Sequence, residues 1–314
     1  FTGKSNGVSF QNFNLNQPHP WRACMNKVGI YYAYWTHEWD VDFHPYVDKV
    51  ADLGFDILEV NAGTFANLSS ADRKALKAHA DERKLNMTYC IGLPAAFDVA
   101  SKDAATRQKG VAFLQAQAKG IGEVGGGQVS GILYSSWPAL MPKGETDKRP
   151  YLENSLNSMR VAIKAAEENN VIFNMEVVNR FEQYLLNTAE EAVAYVKAVD
   201  SPNIKILLDT YHMNIEEDHI GTAIETAGDY LGHVHLGENN RRPPGYGHIA
   251  WDELASALKK IEYKGGLVME PFLMPGGQVG SDIRVWRDMS VGVDLDFEAK
   301  KALQFIRGKL AGAQ

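Results

Sequence analysis

Short apolar segments alternate with longer segments of helical period from Val28 onward. The apolar runs are VGIYYAY from Val28, FDILEV from Phe55, NMTYCIG from Asn86, VSGILYS from Val129, VIFNMEV from Val171, IKILLD from Ile204, YLGHVHL from Tyr230 and GLVMEP from Gly266. Several are continuously apolar, as expected of strands that are covered on both faces. This alternation predicts repeated strand–helix units and a parallel sheet.

The intervening segments carry apolar residues at helical spacing. The clearest sets are Leu152, Leu156, Met159 and Ile163, and then Trp251, Leu254, Leu258 and Ile261. Each helix can therefore bury one apolar stripe against the sheet. Eight strands with helices between them predict an α/β fold of the (β/α)8 TIM barrel type in a single domain. An open doubly wound sheet usually has a glycine fingerprint after its first strand, whereas here YYAYWTHEWD follows.

The first 24 residues are polar and lack a clear period. We expect residues 1–24 to form an N-terminal extension outside the barrel and residues 25–314 to form the barrel domain. The glycine-rich segments GEVGGGQ from Gly122 and MPGGQVGSD from Met274 are short enough to be barrel loops. The first of them lacks the Gly-Lys-Ser/Thr ending of a phosphate-binding loop, so no nucleotide site is expected there.

Composition and charge limit the classes of protein to which this chain could belong. The chain of 314 residues is 45% hydrophobic and 23% charged, which suits a globular protein with a large core. A formal net charge of -7 argues against nucleic acid as a partner. Cys24 and Cys90 are too few for a disulfide framework and fit a reducing compartment. Because no apolar run approaches the roughly 20 residues of a membrane span and no signal pattern is evident, we expect a cytoplasmic protein.

Ionisable residues stand at the carboxyl ends of four successive apolar runs. They are Glu176, Asp209, His235 and Glu270. In a TIM barrel these ends converge on the face that carries active sites. Buried charges there are costly unless they are paired or bind a metal, so the set predicts an oxygen-rich site for Mn²⁺, Mg²⁺ or Co²⁺. A hydrogen-bonded ring without metal is the alternative, and His233 shares a strand face with His235, so the pattern alone does not separate the two histidines.

Further polar and aromatic residues follow the strand ends. Each of the polar ones stands one short loop beyond a predicted ligand: Glu182, His212 and Arg241. The aromatic ones are Tyr31, Trp39, Trp137 and Phe272. Loops after barrel strands are where substrate contacts usually lie. The aromatic rings can line a pocket for the apolar face of a sugar, although each could equally be core packing.

Several motifs together resemble the D-tagatose 3-epimerase and D-allulose (D-psicose) 3-epimerase family of xylose isomerase-like barrels. They are GIYYAYW at Gly29, LGFDILEV at Leu53, YSSWP at Tyr134, MEVVNRFEQYLLNTAEEA at Met175, LDTYHMNIEED at Leu208, LGHVHLGENNRRPPGYG at Leu231, and VMEPF with GSDIRVWRD toward the end. The resemblance covers nearly everything after Met25. Two departures, Asn239 where many members have a cysteine and the loop NAGTFANLSS after the second run, leave the preferred sugar open.

The resemblance implies a role for each candidate residue. Glu176, Asp209, His235 and Glu270 would bind one divalent metal, with His235 preferred over His233. Glu176 and Glu270 would also form the acid/base pair. Glu182, His212 and Arg241 would hold the first three carbons of the substrate, and Tyr31, Trp39, Trp137 and Phe272 would line the distal part of the pocket. The family further implies Mn²⁺ as the metal, with Co²⁺ or Mg²⁺ as alternatives, no organic cofactor, and a homodimer or homotetramer.

The implied reaction interconverts ketohexose C3 epimers, D-fructose with D-allulose and D-tagatose with D-sorbose. One carboxylate removes the C3 proton and the other returns a proton to the opposite face of a cis-enediolate, which the metal stabilises. The alternatives are an aldose–ketose isomerase of the same group and an L-ribulose 3-epimerase. A metal-dependent apurinic endonuclease would require more histidine ligands and a basic groove. A non-catalytic sugar-binding protein would leave the paired acids unexplained.

Overall fold

Eight parallel strands close into a barrel in the computed structural model, which describes residues 26–313. The strands are β1 Val28–Tyr31, β2 Ile57–Asn61, β3 Asn86–Cys90, β4 Gly127–Gly131, β5 Val171–Val177, β6 Ile204–Asp209, β7 Leu231–Leu236 and β8 Leu267–Met269. Each strand pairs with its sequence neighbours, and β8 pairs with β1 to close the ring. The predicted TIM barrel is confirmed, whereas the extension predicted at residues 1–24 lies outside the described residues.

Helices connect the strands on the outside of the barrel. Those of the described residues are α1 His44–Leu53, α2 Ala62–Asn67, α3 Ser70–Glu82, α4 Ala104–Gly122, α5 Arg149–Glu168, α6 Ala189–Val199, α7 Thr210–Glu216, α8 Ile220–Ala227, α9 Trp251–Lys260, α10 Gly277–Asp282 and α11 Leu295–Gly312. Within α5, Met159 and Ile163 are buried, and within α9 so are Leu254 and Leu258. The two helical stripes expected from the sequence therefore face the core.

Each of the eight apolar runs overlaps a strand, but one run is clearly displaced from its strand. Strand β4 begins at Gly127 and ends at Gly131, whereas the run VSGILYS continues to Ser135. Gly131 has φ of +119°, a conformation that side-chain-bearing residues rarely adopt. A Cβ atom at this position would lie 2.1 Å from the carbonyl oxygen of Ile91. The glycine therefore turns the chain out of the sheet and ends the strand early.

The ends of several helices are fixed by local hydrogen bonds. The side chain of Asp103 accepts from the backbone N–H groups of Ala105 and Thr106 at the start of α4. Helix α7 follows β6 without a loop, because Asp209 both ends the strand and caps the helix through Tyr211 N–H. This junction fixes the position of one predicted metal ligand. Among residues 26–313, no helix has the length and apolar character that crossing a membrane requires.

Candidate active site at the carboxyl end of the barrel

Four ionisable side chains from neighbouring strands meet inside the carboxyl end of the barrel. Glu176 lies on β5, Asp209 ends β6, His235 lies on β7 and Glu270 directly follows β8. One potential ligand atom from each of the four lies within 4.8 Å of the others, and all four residues are buried. The Nδ1 atom of His235 is 3.8 Å from Glu176 Oε1 and 3.6 Å from Glu270 Oε2. The residues named from the sequence are therefore brought together.

The donor set fits a divalent cation. His235 Nδ1 is buried and has no hydrogen-bond partner, and it faces two carboxylates. The other ring nitrogen, Nε2, lies 2.7 Å from Glu59 Oε1. Since a carboxylate only accepts, Nε2 donates its proton to Glu59, and Nδ1 is the ring nitrogen directed at the group. Three carboxylates and one imidazole suit Mn²⁺, Co²⁺ or Mg²⁺.

The second histidine of β7 does not belong to this group. His233 is fully buried and its Nε2 lies 2.9 Å from Glu59 Oε2. Its Nδ1 lies 2.7 Å from Gln128 Nε2, so both ring nitrogens have protein partners. His235 is therefore the histidine of the cluster, as the family resemblance implies.

Burial and the neighbouring charges shift the pKa values of the residues in the cluster. Burial raises the pKa of the Glu176 carboxyl to about 7, and the carboxylates of Glu270 and Asp209 add to the rise against the opposing effect of His235. Burial opposes protonation of His235, but Glu59 and Glu270 raise its pKa well above the usual range. For Asp209, burial is outweighed by Arg241 and the two nearby histidines, and its pKa is lowered. Opposed shifts among adjacent groups are typical of catalytic sites.

Arg241 reaches the cluster from the loop after β7. Its Nη1 donates to Asp209 Oδ2 at 3.0 Å and to Glu270 Oε2 at 3.2 Å. Its guanidinium lies over the ring of Tyr211, 3.9 Å from the centroid. The residue has φ of +60°, which a non-glycine residue rarely adopts, and the backbone bonds to Glu238 O and from Phe272 N–H hold it there. The strained backbone therefore directs the positively charged guanidinium of Arg241 into the site.

His212 and Glu182 form a polar wall beside the cluster. His212 Nδ1 accepts from Asn179 N–H at 3.1 Å and from Asn179 Nδ2 at 2.7 Å. The other ring nitrogen, Nε2, lies 3.3 Å from Arg241 Nη2 and 3.7 Å from Asp209 Oδ2. Burial lowers the pKa of His212, which keeps the ring neutral. Glu182 accepts from Trp137 Nε1 at 2.9 Å and from Asn179 Nδ2 at 3.2 Å.

A cavity of about 490 Å³ opens over this group. All four aromatic residues predicted from the sequence line it: Tyr31, Trp39, Trp137 and Phe272. The rings of Tyr31 and Trp39 are each centred 6.4 Å from that of Phe272 and meet it edge to face. The polar residues Glu176, Glu182, His212, Arg241 and Glu270 also line it. The cavity therefore has an aromatic wall and a charged floor, as a sugar site requires.

Sequence reasoning missed three residues of the site region. Glu59 bonds to His235, Asn179 bonds to His212 and Glu182, and Asp282 accepts from Trp39 Nε1 at 2.8 Å. Glu59 carried a signal, because it is an acid with apolar residues on both sides within the run FDILEV. Asn179 stands between Glu176 and Glu182 and Asp282 lies far from Trp39 in sequence, so neither had a pattern that would reveal its contacts.

Comparisons with known proteins agree with the fold. The chain belongs to the xylose isomerase-like TIM barrel family, whose family model matches residues 47–289. Within it the chain groups with the ketose 3-epimerases, which are carbohydrate isomerases. It is 48% identical to the D-psicose 3-epimerase of Ruminiclostridium cellulolyticum over 90% of this chain and 97% of the relative. It is 43% identical to that of Agrobacterium fabrum, over 91% and 100% respectively.

Two solved structures of D-psicose 3-epimerases have the same levels of sequence identity to this chain as these two relatives. A crystal structure of D-psicose 3-epimerase with D-tagatose from Clostridium cellulolyticum H10 has a TM-score of 0.88, 48% identity, and coverage of 90% of this chain and 99% of that one. A D-psicose 3-epimerase crystallised in the presence of D-fructose has a TM-score of 0.87, 43% identity and the same coverage.

Proposed function

We propose that this chain interconverts D-fructose with D-allulose and D-tagatose with D-sorbose by inverting carbon 3. The observation that carries the proposal is the pair Glu176 and Glu270, whose carboxylates approach His235 Nδ1 from β5 and from the end of β8. Both line the same cavity, which is large enough for a ketohexose. The relatives solved with D-tagatose and in the presence of D-fructose support this substrate class.

Glu176, Asp209, His235 and Glu270 would hold one divalent cation, and we propose Mn²⁺, with Co²⁺ or Mg²⁺ as alternatives. The cation supplies Lewis-acid stabilisation of the negative charge that develops on the substrate oxygens O2 and O3. Arg241 contacts two of the three carboxylate ligands, Asp209 and Glu270, and adds a fixed positive charge beside them. The substrate oxygens that gain negative charge therefore lie near groups that favour it.

Glu176 and Glu270 would exchange protons with carbon 3. One carboxylate removes the C3 proton to give a planar cis-enediolate, and the other, entering protonated, delivers its proton to the opposite face. A forward turnover leaves the two carboxyl groups with exchanged protonation states, so proton exchange with solvent must restore the starting state before the next forward turnover. The same pair acts with opposite roles in the reverse direction. The pKa of about 7 for Glu176 suits a group that must both accept and donate a proton near neutral pH.

The polar wall would orient the substrate. His212 presents Nε2 to the cavity, Glu182 presents carboxylate oxygens, and Arg241 presents guanidinium protons, so O1 to O3 of a ketose would meet complementary partners. The aromatic rings would then face the distal carbons. An aromatic wall contacts C–H groups without fixing each hydroxyl, and this is compatible with more than one ketohexose.

A second candidate reaction is C3 epimerisation of L-ribulose. An L-ribulose 3-epimerase of Methylomonas sp. is 31% identical over 90% of this chain and 96% of the relative. Such a pentulose would leave part of the cavity unfilled. An aldose–ketose isomerase is the remaining catalytic alternative, and it would move the carbonyl group rather than invert carbon 3.

The test uses metal-stripped and Mn²⁺-reloaded protein incubated with D-fructose in D₂O. We expect metal-dependent formation of D-allulose with deuterium at C3, identified by chromatography and NMR. A labelled aldose would identify an isomerase instead. Turnover of L-ribulose alone would keep the reaction and change the proposed substrate. The absence of turnover with every ketose tested would refute the epimerase.

Variants test the two acids separately. Glu176→Gln and Glu270→Gln should each lower turnover by at least about a thousandfold, because each removes a proton-transfer group and a ligand. Glu190→Gln, at the exposed start of α6, is the matched control. Near-normal turnover in either site variant, with metal bound, would refute the assigned roles.

We also propose that the protein is a cytoplasmic homodimer or homotetramer. Large apolar side chains are exposed near the mouth of the cavity: Leu140 (62% exposed), Phe181 (61%) and Trp286 (75%). The segments that carry them are connected, because Ala139 N–H donates to Glu182 O and Arg284 Nη1 donates to Phe181 O. Such a patch is typical of an interface between subunits. The buried free thiol of Cys90 is compatible with a reducing compartment.

A further inference from the structure

Glu59 lies in the middle of β2 and is fully buried inside the barrel. Its Oε2 accepts from Thr88 Oγ1 at 2.8 Å and from His233 Nε2 at 2.9 Å, and its Oε1 accepts from His235 Nε2 at 2.7 Å. Strand β7, which carries both histidines, is not adjacent to β2, so these bonds cross the barrel interior. An unpartnered carboxylate would be costly here, and three donors account for its ionised form.

Gln128, at the end of this network farthest from His235, determines which atoms donate and which accept. Gln128, on β4, lies with Nε2 2.7 Å from His233 Nδ1. A histidine ring that accepts at Nδ1 carries its proton on the other ring nitrogen. If the amide donates to Nδ1, that proton must lie on Nε2, where it is donated to Glu59. A continuous series of hydrogen bonds therefore runs from Gln128 through His233 and Glu59 to His235.

The near end of the series meets the candidate metal site. His235 donates from Nε2 to Glu59, and its Nδ1 is buried, lacks a hydrogen-bond partner and faces Glu176 and Glu270. We infer that Glu59 is a positioning residue that holds His235 in the Nε2-protonated tautomer, with Nδ1 directed at the cation. This inference rests on the proposed metal site, and adds to it a carboxylate outside the ligand set.

The substitution Glu59→Gln separates charge from shape. Oxygen and NH₂ now occupy the two positions of the former carboxylate, and only one of them accepts a hydrogen bond. If the NH₂ group faces His235, Nε2 of that ring must accept a hydrogen bond. The ring proton then lies on Nδ1, where it hinders coordination of the cation. We expect the affinity for Mn²⁺ to fall roughly 10- to 100-fold, the range typical of removing a partner of a metal ligand.

The measurement is a titration of metal-free protein with Mn²⁺, in which the EPR signal of the free ion reports the unbound fraction. Glu238→Gln is the matched control, because Glu238 is also a fully buried acid and accepts from Trp251 Nε1 at 2.9 Å, outside the four-residue group. Its affinity for Mn²⁺ should equal that of the wild type. Equal losses in both variants would overturn the inference in favour of a general packing effect.

Two further measurements keep the inference testable if Glu59→Gln does not fold. Thr88→Val removes one of the three donors to Glu59, and should weaken Mn²⁺ binding about fivefold. In wild-type protein loaded with diamagnetic Zn²⁺, ¹⁵N NMR should show His235 bound through Nδ1 and protonated at Nε2. An Nδ1-protonated ring, or unchanged affinity in the Glu59 and Thr88 variants, would overturn the inference. A wild type that binds no Mn²⁺ would instead refute the proposed metal site itself.

Discussion

At the scale of single residues, the protonation of Glu176 and His235 links metal binding to pH. Both pKa values are raised, that of Glu176 to about 7, so both groups hold protons near neutral pH until a cation displaces them. We therefore predict that the affinity for Mn²⁺ falls as pH decreases, by up to about tenfold per pH unit for each proton displaced, with the contribution of Glu176 developing below about pH 7.

Calorimetry in two buffers of different ionisation enthalpy measures this proton release directly. The apparent binding heat should differ between the buffers in proportion to the protons displaced. A dissociation constant independent of pH, with the same heat in both buffers, would contradict the assignment of these residues as ligands.

Asn179 offers a second residue-scale prediction. Its side chain donates to His212 Nδ1 and to Glu182 Oε1, two groups proposed to hold the substrate. Asn179→Ala removes these two donated hydrogen bonds, of about 1 kcal/mol each, and also the bond that Asn179 Oδ1 accepts from Phe181 N–H. It should lower kcat/KM roughly ten- to thirtyfold, mainly through KM. Asn154→Ala is the control, because the Asn154 amide bonds only to Ser101 O among the described hydrogen bonds, on the outer helix α5. Equal kinetics in both variants would argue against a role in substrate orientation.

At the scale of elements, Gly131 decides where β4 ends. Its φ of +119° and the 2.1 Å approach of a built Cβ to Ile91 O make alanine unsuitable on two grounds. Gly131→Ala should lower the free energy of unfolding by at least about 3 kcal/mol. Gly54, which caps α1, is the control. It has φ of +89°, but a Cβ atom there would have nothing within 4 Å, so alanine would add backbone strain without a steric clash. Gly54→Ala should cost about 1 kcal/mol, and urea denaturation of both variants measures the difference.

The same glycine shows what sequence patterns can and cannot predict. All eight strands were located, because apolar runs of this length reflect burial on both faces. The end of β4 was missed, since Ile132 and Leu133 are buried as loop residues and look like strand continuation in the sequence. The four grouped ionisable residues were also found, because parallel strands bring their carboxyl ends together. Glu59, however, makes contacts across the barrel, and local patterns do not report which distant side chains meet.

At the scale of the whole molecule, exposed apolar side chains bear on assembly. Phe181 and Phe297 are equally exposed, at 61% and 62%, but Phe181 lies near the cavity mouth and Phe297 on the outer helix α11. If the patch with Leu140 and Trp286 is an interface, Phe181→Glu should reduce the molar mass from that of an oligomer to that of one chain, because a carboxylate is costly to bury there. Phe297→Glu should leave it unchanged.

Light scattering coupled to size-exclusion chromatography measures both masses. An oligomer that persists in Phe181→Glu, or dissociates equally in both variants, would place the contact elsewhere. A single chain in the wild type would refute the proposed homo-oligomer.

The closing pair of strands has a consequence for synthesis of the protein. Strand β8, which pairs with β1, leads directly into Glu270, so the first and last strands must meet before the fourth member of the cluster is in place. A growing chain that still lacks this strand has Glu176, Asp209 and His235 but no acid from the β8 end. The proposed transfer of protons between two faces of a sugar therefore becomes possible only after β8 has been synthesised and has joined β1.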